Sequence, residues 1–475
     1  MLELAGTSAV GRQEPDSLPF SLEQESFFGP SPVSASNIAV SYRMAGHLDV
    51  GALQAASGLL AERHEALRFR LTPASCPRGQ VIPPAQPLIG VSGRITEERL
   101  WEHLDGIHSA PLDLVGAGPA QFRLGRITSD EHVLCMTVHP AALDAWGIGV
   151  VQRDLWELYD LVCQGLPAES PARPPSFSDH VRWQRSAGGA LTPEQREYHA
   201  RQFSGFVALP APDVPTPGLG RRDDGPAALL ARRQFTMDAS ALRQAAQVAR
   251  NLRVTTSSLF LAGFELALCL ALDSESGGLS YIYLGRDRPG SEAMAAALAR
   301  RIPMRFAVAP ADTLADVARR AMRDWAAAVG CSAPPYSSAR LVGAMGGPGA
   351  GFEPVFNYRV ADATGALRRA GAGQTGAAVE RSRPRVWRVS EPRPRPMPMW
   401  PQFGASALFA SVTAAGAPNR NGIVVDAVYD SDEIPAALVK AVFGAFKAAM
   451  LALVADGGNA VTFRRLHDMA QRNFT

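Results

Sequence analysis

His139-Pro140-Ala141-Ala142-Leu143-Asp144-Ala145-Trp146 joins two segments of different period, and the fold is read outward from it. On its N-terminal side, residues 121–127 and 132–138 show strand-like apolar patterns. The polar quartet Thr128-Ser129-Asp130-Glu131 between them predicts a hairpin. On its C-terminal side, Trp146, Val150, Val151, Leu155, Leu158 and Val162 recur at helical spacing, with Gly165 as the stop. Asp144 stands just before that helix, where a short carboxylate accepts from the free N–H groups of the first turn.

Further upstream, Leu22, Phe27 and Phe28 suggest a short helix, and Ile38, Val40, Tyr42 and Met44 alternate as in a strand. Asp49 precedes a helix whose inner face is Leu53, Ala56, Leu59 and Leu60, and residues 66–71 read as another strand. Downstream, Thr192-Pro193-Glu194-Gln195 has a capping-box pattern with proline at the first helical position. The second half repeats the mixture: helices over 239–251, 256–272, 314–329 and 435–454, strands over 279–284, 304–308 and 355–360, and a hairpin across 418–422. Strands and helices mix throughout, so the class is α/β or α+β, with no obvious internal repeat. A Pro-, Gly- and Asp-rich stretch at 209–228 is read as a linker between a lobe over 1–208 and a lobe over 229–475. Residues 365–402 are read as a loop dense in Arg and Pro, since proline blocks helix and central strand. That loop is either a docking strip for an acidic partner or phosphate, or a solvated lid.

A chain of 475 residues exceeds one ordinary core, and 47% hydrophobic content supplies the interior for two lobes. With 19% charged residues and a net charge of +2, nothing draws the chain as a whole to nucleic acid or membrane. The five cysteines (Cys76, Cys135, Cys163, Cys269, Cys331) are odd in number, scattered and without a CxxC. They predict reduced thiols, mostly buried, rather than disulfides or a zinc site. The expected setting is cytoplasmic: the N-terminus has no signal-peptide pattern, and no uninterrupted apolar stretch is expected to span a membrane. Scattered histidines predict no metal, and the glycine-rich stretch 343–351 lacks the ending of a phosphate-binding loop, so it is read as flexible.

The octet resembles the HHxxxDGW signature of nonribosomal peptide synthetase condensation domains. Other segments resemble that family in the same order. Ser21-Leu22-Glu23-Gln24 is similar to its SxAQ segment, Arg63-His64-Glu65-Ala66-Leu67-Arg68 to RHExLR, and Phe177-Ser178-Asp179-His180-Val181-Arg182-Trp183 to YxDYAxW. Gly285-Arg286-Asp287-Arg288 resembles GRxR, residues 297–305 stand in for GxFVNTxxxR with Arg305 kept, and Val355-Phe356-Asn357-Tyr358 resembles a late FNY strand. The resemblance spans nearly the whole chain. It implies a free-standing domain of two chloramphenicol-acetyltransferase-like lobes forming a V-shaped pseudo-dimer with a central tunnel.

In that family, acyl groups arrive on phosphopantetheine arms of carrier proteins, and the second histidine of the signature acts as base or positions the nucleophile. Here that position is Pro140, which has neither an ionisable group nor an N–H. Ala145 replaces the glycine after the aspartate, and Ala299-Arg300-Arg301 stands where the family has Phe-Val-Asn. The resemblance makes His139 and Asp144 the candidate catalytic residues. His139 would be a base if the loop slips by one residue, and otherwise a packed strand-end histidine. Asp144 would be helix cap and ion-pair member together, with Arg68 or Arg305 as partner. Trp146, Asn357 and Tyr358 are candidate tunnel-lining residues, Trp146 otherwise core. Arg383, Arg385 and Arg388 are candidates for carrier docking. His132 and His180 are read as structural or surface residues. No bound cofactor is expected, since the arm comes on an acyl or peptidyl carrier protein. The acceptor is a carrier-bound or free small molecule, and the chain is expected to be a monomer.

Three functions remain open on these residues. One is an altered condensation enzyme forming an amide or ester by an atypical mechanism. The second is a non-catalytic relative that recruits or presents carrier-bound intermediates to a tailoring enzyme. The third, an acyltransferase using free coenzyme A, also requires the histidine that Pro140 replaces.

Overall fold

The computed structural model describes residues 17–28, 37–73, 78–84, 87–167, 174–186, 192–203, 230–331, 353–360, 385–388, 407–417, 420–431, 434–456 and 461–474. The expected linker, the glycine-rich stretch, Cys76 and Arg383 lie outside them.

In the N-terminal half, β1 (Ile38–Ala45), β4 (Ile89–Arg94), β5 (Ala120–Arg126) and β6 (Glu131–Val138) build one sheet. The expected hairpin is β5–β6, whose antiparallel register sets Ala120 opposite Val138. β6 reads EHVLCMTV, nearly unbroken in apolar residues, because both of its faces are covered. Leu134, Met136 and Val138 face α2 (Val50–Arg63) and α4 (Ala145–Cys163), while Val133 and Cys135 face α3 (Leu100–Ser109). The Asp49 side chain accepts from the Ala52 N–H at 2.9 Å, as its position before α2 predicts. The expected strand at 66–71 divides instead into a 3-10 turn, Glu65–Arg68, and a short strand β2 (Phe69–Leu71) paired with β3 (Gly79–Val81). A brief α1 (Glu25–Phe28), α5 (Phe177–Arg185) and α6 (Pro193–Phe203) complete this half. At α6 the capping box forms: the Gln195 N–H donates to Thr192 Oγ1, and the Thr192 N–H donates to Gln195 Oε1.

The C-terminal half has a six-stranded sheet in the order β7 (Leu230–Asp238), β13 (Arg420–Asp430), β12 (Ala407–Ala417), β10 (Glu353–Val360), β8 (Ser276–Tyr283), β9 (Arg300–Ala307). Its core packs against α7 (Ala239–Leu252), α8 (Thr256–Ala271), α9 (Leu314–Gly330), α10 (Ala436–Asp456) and α11 (Phe463–Phe474). α8 is apolar around its circumference and is buried from Ser258 to Leu270. α10 is, by length and composition, apolar enough to cross a membrane, an exception to the expectation above. In this fold, Val439, Val442, Phe443, Phe446, Met450 and Leu453 are buried in the core.

Two segments tie the halves together. Ala295 enters the core cluster of the N-terminal half, and Met294, Ala296 and Leu298 pack with Leu18, Ala66, Phe69, Phe177 and Val181. The second segment corrects the loop reading of 365–402: β11 (Arg385–Arg388) joins the N-terminal sheet as an edge strand, antiparallel to β1, with Tyr42 opposite Arg388. Prolines flank this strand in the sequence, and an edge position is where strand and nearby proline are compatible. Of the cysteines, Cys135 and Cys269 are buried, Cys331 is intermediate and Cys163 is exposed.

Candidate functional site

The signature loop leaves β6 and turns tightly into α4. The His139 N–H donates to the Pro119 carbonyl at 2.7 Å, and the His139 carbonyl accepts from the Ala142 N–H at 2.9 Å. His139 is buried. Its Nδ1 accepts from the Ala141 N–H at 3.1 Å, so the neutral ring carries its hydrogen on Nε2. Phe28 stacks on the ring at 5.7 Å and 14°, and Phe27 meets it edge-on at 5.7 Å. Burial pushes the His139 pKa down to about 4. A ring wedged between two phenylalanines, with one nitrogen committed to its own loop, packs the strand end. This geometry opposes a one-residue slip that would make His139 a base.

Pro140 is buried at the tip of the turn. The next carbonyl, that of Ala141, accepts from Gln24 Nε2 at 3.1 Å. Gln24 is itself locked: its N–H donates to Ser21 Oγ at 3.1 Å, and its Oε1 accepts from the Ser21 N–H at 3.0 Å. The opening Ser21–Gln24 segment is therefore a clamp on the signature loop. Gln184 of α5 secures it from behind, accepting from the Leu22 N–H at 3.1 Å and donating to the Glu23 carboxylate at 2.9 Å. Gln24 was not among the candidate site residues, although the resemblance of its segment to a family motif was its signal.

Asp144 is the centre of the arrangement. Oδ1 accepts from the Gly147 N–H at 2.7 Å, which caps α4. Arg286 grips both oxygens, Nη1 to Oδ2 at 2.7 Å and Nη2 to Oδ1 at 2.9 Å. The N–H groups of Leu298 and Ala299 add two bonds to Oδ2 at 2.9 and 2.8 Å. The expected partners are thus corrected. Arg68 spends its guanidinium on the carbonyls of Ala61 and Ile82. Arg305 lies five residues into β9 with an exposed side chain, whereas the start of that strand is what adjoins Asp144. Arg286 reaches Asp144 because Gly285 lets the turn press against the following segment. Gly285 has φ +65°, and a Cβ there would lie 1.9 Å from the Leu298 carbonyl oxygen. Gly147 likewise admits the backbone of Ala296, whose oxygen would lie 2.8 Å from an added Cβ.

The RHE segment is a structural knot. His64 Nε2 and Arg63 Nε both meet Asp154 Oδ2 of α4 at 2.8 Å, with Asp154 only 1% exposed. Burial holds the His64 pKa below its usual value despite Asp154. Glu65 accepts from Ser176 Oγ and the Ser178 N–H, anchoring the start of α5.

Trp146 is half-buried and donates from Nε1 to the Glu292 carbonyl at 2.9 Å, bracing α4 against the C-terminal half. Tyr358 packs on Phe260 at 5.8 Å against the C-terminal core, and Asn357 is half-buried on β10 opposite Ser411. The backbones of Arg385 and Arg388 pair with β1. A surface groove between the end of β4 and α3, with Arg94, Arg99, Glu102 and His103 in its lining, includes neither His139 nor Asp144. The loop is thus held by bonds from both halves, while the position expected to carry proton traffic holds a ring with no proton to exchange.

Residues 31–360 match the family model described as Condensation domain. Cyclosporin synthetase simA of Tolypocladium inflatum is 26% identical over 295 residues, 59% of this chain and 2% of that protein. The chain therefore spans a small part of that relative. The complex of the X-domain and OxyB from teicoplanin biosynthesis superposes with a TM-score of 0.71 at 20% identity, covering 94% of this chain and 95% of the other. SgcC5 protein from Streptomyces globisporus gives 0.71 at 18% identity, covering 92% and 98%. The fold is accordingly the mixed α/β, chloramphenicol-acetyltransferase-like one that the sequence motifs imply. With a family match over more than half its length and a clamped, arginine-braced signature loop in the family's place, this chain belongs to the condensation domain family.

Proposed function

We propose that this chain works in nonribosomal peptide or hybrid polyketide biosynthesis as a binding domain. It receives an acyl or peptidyl thioester on the phosphopantetheine arm of a carrier protein and presents it to a second protein without forming the bond itself. The observation that carries this reading is Pro140 in a signature loop that is otherwise fully bonded. A general base must reach the attacking atom and titrate near neutral pH. Pro140 offers no such group, and His139 is buried, committed through Nδ1 and shifted to about 4. The solved complex of an X-domain with OxyB has a partner on a domain of the same fold, which supports presentation to another protein.

A second reading is favoured by the intact Asp144–Arg286 brace. Holding two reactants together supplies about 7–11 kcal/mol of a barrier, more than the roughly 10²–10⁴-fold from a base. An already deprotonated amine, or a hydroxyl, could then be acylated slowly by proximity. One experiment tests the premise that both readings share. Carrier protein loaded with an acyl-phosphopantetheine is titrated against the chain by calorimetry, with unloaded carrier as control. Tighter binding of the loaded form supports a held thioester, and intact-mass analysis with an added amine then separates the readings: no transfer supports presentation, slow transfer supports acylation by proximity. Equal affinity for both forms removes the premise that the chain holds the tethered group.

A further inference from the structure

His180 lies on α5, 4% exposed, with Nδ1 and Nε2 both without a hydrogen-bond partner among the described residues. A buried polar group left unpaired is destabilising, so an orphaned imidazole marks a place where something polar belongs. What surrounds it is cationic. Arg288 lies with its guanidinium 4.7 Å over the Trp183 ring, and Trp183 meets His180 at 5.7 Å. Arg286 contributes a further buried and unpaired Nε. The nearby acids are engaged elsewhere. Asp144 holds Arg286, Asp287 holds Arg300 and Tyr283, and Glu23 is bonded by Gln184. Arg288 has no carboxylate partner among the described residues.

We infer that His180, Arg286 and Arg288 form an oxyanion-binding site between the two halves of the chain, taking a carboxylate or a phosphate group. His180 comes from the N-terminal half and the two arginines from the turn before β9, so a bound anion bridges the halves. Arg288 supplies a planar fork suited to two oxygens, His180 one N–H, and Arg286 its spare Nε–H. Entry requires Arg288 to swing from Trp183. The net positive surroundings fit the same assignment: burial, and then Arg288, Arg300 and Arg286, hold the unliganded His180 pKa down at about 4. A bound anion reverses that sign and raises it. The inference does not rest on the carrier-binding proposal and stands if that one fails.

The test is NMR of the 15N-histidine-labelled full chain, with the His180 signals assigned by their loss in His180→Gln. Inorganic phosphate and acetate are titrated separately, with chloride at matched ionic strength as control. Expected is a saturable His180 shift with phosphate, acetate or both, a rise in its titration midpoint, and binding at least about tenfold weaker in Arg288→Gln. A response to phosphate alone assigns a phosphate-bearing ligand, and one to acetate alone a carboxylate. Arg288→Lys, which keeps the charge but loses the fork, is expected to fall between wild type and Arg288→Gln. The inference is overturned if His180 in the wild-type protein responds to neither anion beyond chloride, or if Arg288→Gln binds as tightly as wild type.

Discussion

Replacing Asp144 with asparagine removes the charge at the hub: asparagine caps helices about as well as aspartate and keeps one oxygen for the Gly147 N–H, while its amide nitrogen takes the place of the oxygen that accepts from Leu298 and Ala299. What is lost is the acceptor for the Leu298 and Ala299 N–H groups and the two-point ion pair with Arg286. Its side chains are only 12% and 6% exposed for Asp144 and Arg286, so the guanidinium is left charged and nearly dry. Breaking one partner of such a pair costs about 3–5 kcal/mol. Asp144→Asn should therefore destabilise by about 3 kcal/mol. The double variant Asp144→Asn/Arg286→Met should lose less than the sum of the singles, because it leaves no orphaned charge. Urea denaturation gives the energies, and native-state hydrogen exchange at Gly147, Leu298 and Ala299 shows whether the loss is local to the hub. The reasoning fails if Asp144→Asn lies within about 0.5 kcal/mol of wild type, the size of an ordinary surface change, with exchange unaltered.

Gln24→Ala removes the clamp on the Ala141 carbonyl and should cost about 1–3 kcal/mol in urea denaturation, with faster exchange at Ala141 and Ala142. Glu265 is 3% exposed and its Oε1 has no partner among the described residues; burial, then repulsion from Asp324, raises its pKa well above 4.5. The folded chain therefore keeps a proton that the unfolded chain releases, so this group's contribution is full below pH 4.5 and is lost as pH rises toward the folded value. Glu265→Gln should flatten that decline and raise Tm at alkaline pH, as checked by thermal melts across pH. An unchanged slope would show that Glu265 is ionised in the fold.

The sequence was most legible where period and capping agree. Asp49 before α2, Asp144 before α4 and Thr192 before α6 each cap the helix they precede. It was less legible where backbone groups do the bonding. Ala299-Arg300-Arg301 departs from the family in side chains, yet the N–H groups of Leu298 and Ala299 reach Asp144 whatever those side chains are. Pairing Asp144 with Arg68 or Arg305 followed motif order. Arg286 succeeds through the positive φ of Gly285, a contact that joins residues 142 positions apart. β11 escaped reading because Pro and Arg density conceals four residues that gain a strand only from the edge of a distant sheet. The loss of the signature histidine was visible directly as Pro140; that His139 is wedged against Phe28 and bonded to its own loop needed the structure.

The most direct test is intact-mass analysis of an acyl-loaded carrier and an amine acceptor incubated with wild type, Pro140→His and His139→Ala. The expected result is that wild type leaves the thioester on the carrier at the uncatalysed rate, that His139→Ala does the same, and that Pro140→His accelerates transfer by up to about 10²–10⁴-fold. Transfer by wild type that disappears in His139→Ala would contradict it, since the wedged imidazole would then be the working base.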